Sequence, residues 1–434
     1  MSGNELDRYL KIVYLTEAGE ARDAQAELEA AMRRWRGIGC PQDTEAARET
    51  LDRIHRRSRG VSAYCYAYIH AEGIGVERDR QAAEGFYRKS AEIFTKEAEA
   101  GVSASMNNLG YLAAHGKGIE KDEAKAFQLF QRAAESGFGS ALYNLGLCYA
   151  NGIGVERDDD KAMDMFRKAT EAGENAAWGC VAFMHQEGRA VPRDPQASIE
   201  ALRKAAEHGD VKSWSQLGYA NSVGFGVPVD VDEGKRWFGL AAEEGDAYAQ
   251  ANIGFDLCFD YSEKSFEKGW QMLEWARQLG NANALSYMAK ILIFGAPAKS
   301  PDYDAGLKLA EAGAAEGNAS CLYLMGYLAE NGLNMPKQPD VAANWYRKAV
   351  EANTEPYAAA ALGRLYRDGR GVEKSLIDAY AFLRLAEPTR LTEASKDLLK
   401  LRSKMTGDQV KAGEKRLAAI KAKLEAPFQL RMGN

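Results

Sequence analysis

Apolar residues recur along the chain with helical spacing, in segments of about a dozen residues separated by glycines. One segment, from Ala141, reads Ala-Leu-Tyr-Asn-Leu-Gly-Leu-Cys-Tyr-Ala. The next, from Asp160 to Ala172, reads Asp-Lys-Ala-Met-Asp-Met-Phe-Arg-Lys-Ala-Thr-Glu-Ala and precedes Gly173. The pattern predicts a repeating unit of helix A, Gly-x-Gly loop, helix B and Gly turn.

The loop signature, Gly-x-Gly-Val or Gly-x-Gly-Ile, begins at Gly73, Gly116, Gly152, Gly224 and Gly369, with weaker forms at Gly37, Gly188, Gly295 and Gly332. From Gly73 the intervals are 43, 36, 36 and 36, then 71 to Gly295, then 37 and 37. Asp260 stands where one copy has lost its glycines. Glu-x-Gly recurs in a second phase at Gly101, Gly137, Gly173, Gly209 and Gly245, and more loosely at Gly280, Gly317 and Asn353.

Each recurrent residue has a mechanical role. Asp79, Asp122, Asp158, Asp194 and Asp230 stand where a short acceptor side chain caps the free N–H groups of helix B. The glycines supply positive φ at helix C-termini. Ala126, Ala133 and Ala134 allow close helix approach, and Leu109, Leu145, Leu217 and Leu362 fill the space between A and B. One helix pair cannot bury its apolar face alone, so the copies must stack.

Asn-Leu-Gly followed by Tyr, Gly-Ile-Gly-Val-Glu-Arg-Asp, Lys-Ala and Ala-Ala-Glu-Ser-Gly together resemble the Sel-one-like repeat, a relative of the tetratricopeptide repeat. The resemblance covers roughly residues 23–388. It implies an all-α fold, a right-handed α/α superhelical solenoid of about nine helix-pair repeats of roughly 36 residues. It also implies a non-catalytic scaffold or adaptor that binds a partner protein along its concave face. The alternative is an immunity or accessory, chaperone-like partner of a bacterial secreted effector, for example of a type six secretion system.

Departures from the period carry their own expectations. The interval from Gly73 to Gly116 holds seven additional residues, placed around Ser90 to Ala100, which predicts a longer, protruding helix B. From Ala249 to Gly280 the loop glycines vanish while Phe255, Phe259, Tyr261, Phe266, Trp270 and Trp275 appear, which suggests a change of curvature. Residues 1–22 read as an N-terminal capping helix, a lone helix B from Glu5 to Leu15. Residues 389–434 read as C-terminal capping helices and tail, one helix around Glu393 to Met405 and one around Asp408 to Leu424, with Thr406 capping the second.

Of the 434 residues, 46% are hydrophobic and 27% charged, enough for both a core and solubility, and the formal net charge of -6 argues against nucleic acid as a partner. The first residues carry Glu5, Asp7, Arg8 and Lys11, which leaves no signal-peptide core, and no later run approaches the roughly 18 apolar residues of a membrane span. The expectation is a cytoplasmic, bacterial protein. Cys40, Cys65, Cys148, Cys180, Cys258 and Cys321 are scattered and read as small buried hydrophobes, not disulfide partners or zinc ligands. His55, His70, His115, His185 and His208 lack metal-ligand spacing, and no nucleophile elbow is present. Neither a catalytic site, a cofactor nor a metal is expected.

The residue after the helix A glycine position gives a stripe: Tyr68, Tyr111, Leu147, Phe183, Tyr219, Phe255, Lys290, Tyr327 and Arg364. It lies about 200° from the core leucine two places earlier, so it should face away from helix B. Tyr64, Asn107, Tyr143, Tyr323 and Asn331 join it one turn away. This stripe is the candidate partner-binding surface, with packing between successive A helices as the competing role. Lys290 and Arg364 favour a negatively charged partner. Basic patches at Arg33, Arg34, Arg36, Arg53, Arg56, Arg57 and Arg59, and from Lys396 to Lys423, read as solvated faces or sites for an acidic partner or surface.

Overall fold

The computed structural model describes residues 13–15, 21–37, 40–56, 58–73, 76–353, 355–386 and 392–432. Among them, ten helix pairs follow one another. They are α1 (Ala24–Arg36) with α2 (Thr44–His55), α3 (Arg59–Glu72) with α4 (Arg80–Glu99), and α5 (Ser103–His115) with α6 (Glu123–Ala134). Next come α7 (Gly139–Asn151) with α8 (Asp159–Glu171), α9 (Ala177–Glu187) with α10 (Pro195–Glu207), and α11 (Val211–Val223) with α12 (Val231–Glu243). The last four are α13 (Ala247–Cys258) with α14 (Glu263–Gln278), α15 (Ala282–Phe294) with α16 (Tyr303–Ala315), α17 (Ala319–Asn331) with α18 (Pro339–Asn353), and α19 (Pro356–Asp368) with α20 (Leu376–Ala386). Two further helices, α21 (Thr392–Arg402) and α22 (Gly407–Met432), pack on α20. The chain divides into two compact units, residues 1–250 and 251–434, with the boundary inside α13.

Local chemistry sets the unit. Asp79, Asp122, Asp158, Asp194 and Asp230 each accept a hydrogen bond from a backbone N–H three residues on, at 2.8–3.0 Å, satisfying donors that the first helical turn leaves free. The first loop glycine ends helix A in the left-handed conformation, as at Gly116 (φ 65°) and Gly152 (φ 73°). The second is required by space. A Cβ on Gly154 would lie 2.0 Å from the carbonyl oxygen of Glu123, on Gly226 2.4 Å from that of Pro195, and on Gly371 2.2 Å from the carbonyl carbon of Pro339. Each of these is the first residue of the preceding helix B, so the loop locks one repeat onto the one before.

Within a pair, the helix A glycine lies under an aromatic ring of helix B: Gly110 under Phe130, Gly146 under Phe166, Gly218 under Phe238 and Gly326 under Tyr346. Leu109, Leu145, Leu217 and Leu362 are buried beside these contacts. Within each unit, B helices pack on the next A helix, as α4 does on α5 and α16 on α17, and A helices also touch one another, α5 with α7, α15 with α17 and α17 with α19.

The seven additional residues do not protrude. Ser90, Ala91, Phe94 and Ala98 are buried, Phe94 lies against Gly60, and the Ser90 hydroxyl donates to the Gly60 carbonyl at 2.8 Å. The second loop glycine of the next repeat, Gly118, meets the backbone of Tyr87, seven residues after the first residue of α4. In the regular repeats the same glycine meets the first residue. The expectation of an outward extension is therefore corrected: seven residues preserve the buried face, and α5–α6 docks about 10 Å further along α4.

The glycine-poor pair α13–α14 keeps glycines inside its helices instead. A Cβ on Gly254 would lie 2.8 Å from the Gly269 carbonyl oxygen, and one on Gly269 would lie 2.5 Å from that of Gly254. Backbone meets backbone where the pairs of Gly110, Gly146, Gly218 and Gly326 place an aromatic ring.

At the N-terminus, residues 1–12 and 16–20 of the expected capping helix lie outside the described residues. Val13–Leu15 is a strand, not the end of that helix, paired antiparallel with Ala21–Asp23 and lying against α5. Adjacent Val and Tyr favour extended backbone there. At the other end Thr406 and Gln409 form a reciprocal cap on α22, at 3.2 and 2.9 Å.

Candidate functional site

The A helices carry the candidate stripe, and the structure divides it by exposure. Tyr64 and Tyr111 pack edge to face, with ring centroids 5.8 Å apart and hydroxyls 3.2 Å apart. The Lys117 ammonium donates to both hydroxyls, at 3.0 and 3.3 Å, and stands over the rings of Tyr64, Tyr87 and Tyr111. Burial, reinforced by the neighbouring tyrosines, pushes the Tyr64 hydroxyl well above the usual phenol range. In the next helices Asn144 donates to Asn107 at 2.9 Å, and Tyr143 tilts onto Phe166.

Tyr64, Asn107, Tyr111, Tyr143 and Leu147 are thus buried rather than open to a partner; Tyr111 is 2% and Leu147 6% exposed. Tyr64 and Tyr143 do not face away from their own B helices: they lean on Tyr87 of α4 and Phe166 of α8, at centroid distances of 5.5 and 6.2 Å. What covers Tyr64 and Tyr111 is the loop lysine and the neighbouring A helix. Tyr68 is half-buried.

The same position opens in the following repeats. Phe183 on α9 is 41% exposed and Tyr219 on α11 is 49% exposed. The Arg189 guanidinium covers one face of Phe183, 5.7 Å from the ring centre, while it also binds the Ala150 carbonyl and pairs with Asp159. Arg157 pairs with Asp159 as well, at 2.9 Å, and hydrogen bonds from Arg189 and Arg157 hold its carboxyl far below the usual carboxylate range. Val223, exposed one turn beyond Tyr219, extends this face. The i, i+4 spacing from the stripe would have identified it.

In the second unit Phe255, Lys290, Tyr323, Tyr327 and Arg364 are half-buried and Asn331 is exposed. Phe255 packs on Tyr287 and Phe259 at centroid distances of 4.5 and 5.0 Å, and Lys290 stands over Tyr287. Tyr323 touches Tyr327, Tyr346 and Tyr357, and burial pushes its hydroxyl up to about 12. Arg364 lies 3.5 Å from Asp397, and the Asn331 side chain bonds the Tyr327 carbonyl at 2.8 Å. Phe294 and Tyr357, absent from the sequence reading, are exposed on the same helix faces. They stand four residues after Lys290 and seven before Arg364.

Little here resembles reactive chemistry. Among the described residues no group of three or more His, Cys, Asp or Glu could hold a metal ion. Burial pushes the thiols of Cys258 and Cys321 up to about 12, and those of Cys65 and Cys148 higher, which suppresses the thiolate needed for nucleophilic attack. Cys40 and Cys180 are only half-buried. Beside the second loop glycine at Gly118, Gly154, Gly226 and Gly371 the backbone of the preceding B helix fills the space that a Cβ would take. Parts of the basic patches are already paired: Arg53 with Glu27, Lys396 with Glu393 and Lys423 with Glu351.

The profile of the Sel1 repeat matches nine segments, 24–49, 61–92, 103–138, 139–174, 177–210, 215–246, 282–318, 319–353 and 356–386. The chain belongs to the Sel1 repeat family. The longest unmatched interior stretch, 247–281, coincides with α13–α14, where the glycine contact has changed. Sel1 repeat proteins are in general protein-interaction scaffolds without catalytic activity.

Solved structures similar to the chain include a protective antigen of uropathogenic Escherichia coli displaying an SLR fold, 24% identical over 99% of this chain and 96% of that one, with a TM-score of 0.48. A Sel1 repeat protein from Oxalobacter formigenes is 30% identical over 53% of this chain and 94% of its own, also at 0.48. An immunity protein from Pseudomonas aeruginosa is 19% identical over 52% and 82%, at 0.33. None of the curated proteins compared with the chain matches it. Among the described residues no helix is long and apolar enough to cross a membrane.

Proposed function

We propose that this Sel1 repeat chain is a non-catalytic scaffold that binds a partner protein along the exposed part of its A-helix face. One observation carries the reading: Phe183 and Tyr219, at the same place in successive repeats, present half-open rings where the two preceding repeats bury Tyr111 and Leu147. Folding gains little from an aromatic side chain left in water, whereas a partner gains a rigid anchor with few rotamers to lose.

The test is affinity capture from the source cells with the native chain, a Phe183→Ala/Tyr219→Ala variant and a Leu240→Ala control on the exposed side of α12. The reading expects a protein retained by the native chain and the control but lost from the double variant, with helical circular dichroism equal in all three. Equal retention by all three contradicts it. The identity of the captured protein separates a signalling partner from a secreted effector.

A further inference from the structure

The last two helices concentrate positive charge in a chain that is negative as a whole. Residues 392–424 hold nine Lys or Arg against four Asp or Glu, although the net charge of the chain is -6. Both helices pack on α20. On α22 the buried side is Gly413, set against the Tyr380 ring, and Leu417; on α21 it is Leu398 and Leu401. The helical period then turns Lys411 and Lys415 on α22, and Leu399 and Lys400 on α21, away from α20. All four are exposed, Leu399 at 69%.

The carboxylates of this region already have partners. Glu393 pairs with Lys396 at 3.0 Å, Asp397 with Arg367 at 2.7 Å, and Glu414 with Arg384 at 3.3 Å and with the Tyr380 hydroxyl at 2.7 Å. From the neighbouring helices Asp378 holds Arg416 and Glu351 holds Lys423, each at 2.8 Å. The loop before α20 adds Glu373 and Lys374, one of each sign. What is left, among the described residues, is Asp408 on one side and six exposed cations on the other: Lys400, Arg402, Lys404, Lys411, Lys415 and Lys421, none with a carboxylate within ion-pair distance. The excess is therefore local and uncompensated.

From this charge complementarity we infer that α21 and α22 form a docking surface for a bilayer rich in anionic lipid, on which the chain rests without crossing it. Composition selects this polyanion over others. Five of the six cations are lysines, and no aromatic residue stands in 392–424. Interfaces between proteins deplete lysine and favour aromatic and arginine anchors, and single-stranded nucleic acid needs rings on which its bases stack. A bilayer surface needs neither: a cluster of four to eight basic side chains is drawn to its headgroups, long lysine stems reach them, and an exposed Leu399 beside Lys400 gives one apolar contact at the acyl boundary. This inference stands apart from the scaffold reading, since Phe183 and Tyr219 lie in the other unit.

The test is co-sedimentation of the full chain with phosphatidylcholine vesicles containing about 30% phosphatidylserine, in about 0.1 M salt. The native chain is expected to be retained, to be absent from pure phosphatidylcholine, and to lose at least about tenfold in affinity at about 0.5 M salt. Lys411→Glu/Lys415→Glu should weaken retention about tenfold or more, and Leu399→Ser about threefold. Lys89→Glu/Lys125→Glu makes the same change in net charge at exposed positions of α4 and α6 and should leave retention as it was. Circular dichroism should be alike in all variants.

Failure to bind the phosphatidylserine vesicles, or equal losses from the two double reversals, overturns the inference. So does anisotropy showing that labelled polyglutamate or oligothymidylate binds the native chain as tightly as the vesicles do, because the surface would then answer to an acidic protein or a nucleic acid.

Discussion

Gly154 lies so close to Glu123 that a methyl group on it would sit 2.0 Å from the Glu123 carbonyl oxygen, a position blocked by the backbone of the preceding repeat. Gly154→Ala also places a side chain at φ 66°. Strain and overpacking together should cost about 3 kcal/mol. Ala190 occupies the corresponding loop position of the next repeat at φ 62°. There the reverse change, Ala190→Gly, should stabilise by about 0.5–1 kcal/mol, the relief of left-handed strain less the greater freedom of the unfolded glycine. Paired urea unfolding curves check both signs; a neutral Gly154→Ala contradicts the packing.

The extended α4 makes a second prediction. Phe94 is buried against Gly60, so Phe94→Ala should lower stability by about 3–5 kcal/mol. Removal of Ser90–Lys96 should lower the unfolding midpoint further, because α5–α6 loses its docking register. A deletion that unfolds like the native chain would restore the protruding-helix picture.

Asp159 predicts a pH dependence. Arg189 and Arg157 depress its folded pKa, so the stabilisation is fully present above the unfolded carboxylate value near 4 and is lost as pH falls below it toward the folded value. The stability gap between the native chain and Asp159→Asn should be constant from about pH 5 to 7 and close below about pH 4. Urea midpoints at stepped pH measure it, and a gap that widens on acidification contradicts the pairing.

The two halves of the stripe in the first unit should behave oppositely. Tyr111→Ala removes a buried ring and its hydrogen bonds and should cost about 3–5 kcal/mol. Tyr219→Ala should shift stability by no more than about 0.5 kcal/mol. Thermal melts of the two variants decide, and similar losses would place Tyr219 in the scaffold.

The sequence made the repeat legible because its determinants are local. An aspartate caps the helix three residues away, a glycine sets its own φ, and Leu145 or Leu217 pairs with the helix beside it. Exposure of the stripe is not local. Tyr111 is covered by Tyr64 and Lys117, and that meeting follows from how far α5 slides along α4, which periodicity alone does not report. The seven-residue insertion was visible, but not what would cover it. Similarly, lost loop glycines marked α13–α14 as different, whereas the Gly254–Gly269 contact required the helices to be brought together.

The most direct measurement of the binding claim is site-specific photo-crosslinking in the source cells, with benzoylphenylalanine placed at Phe183, at Tyr219 and, on the B-helix side, at Leu240. The account predicts one common partner protein crosslinked from Phe183 and Tyr219 and absent from Leu240. Crosslinks from Leu240 alone, or the same products from all three positions, would contradict it.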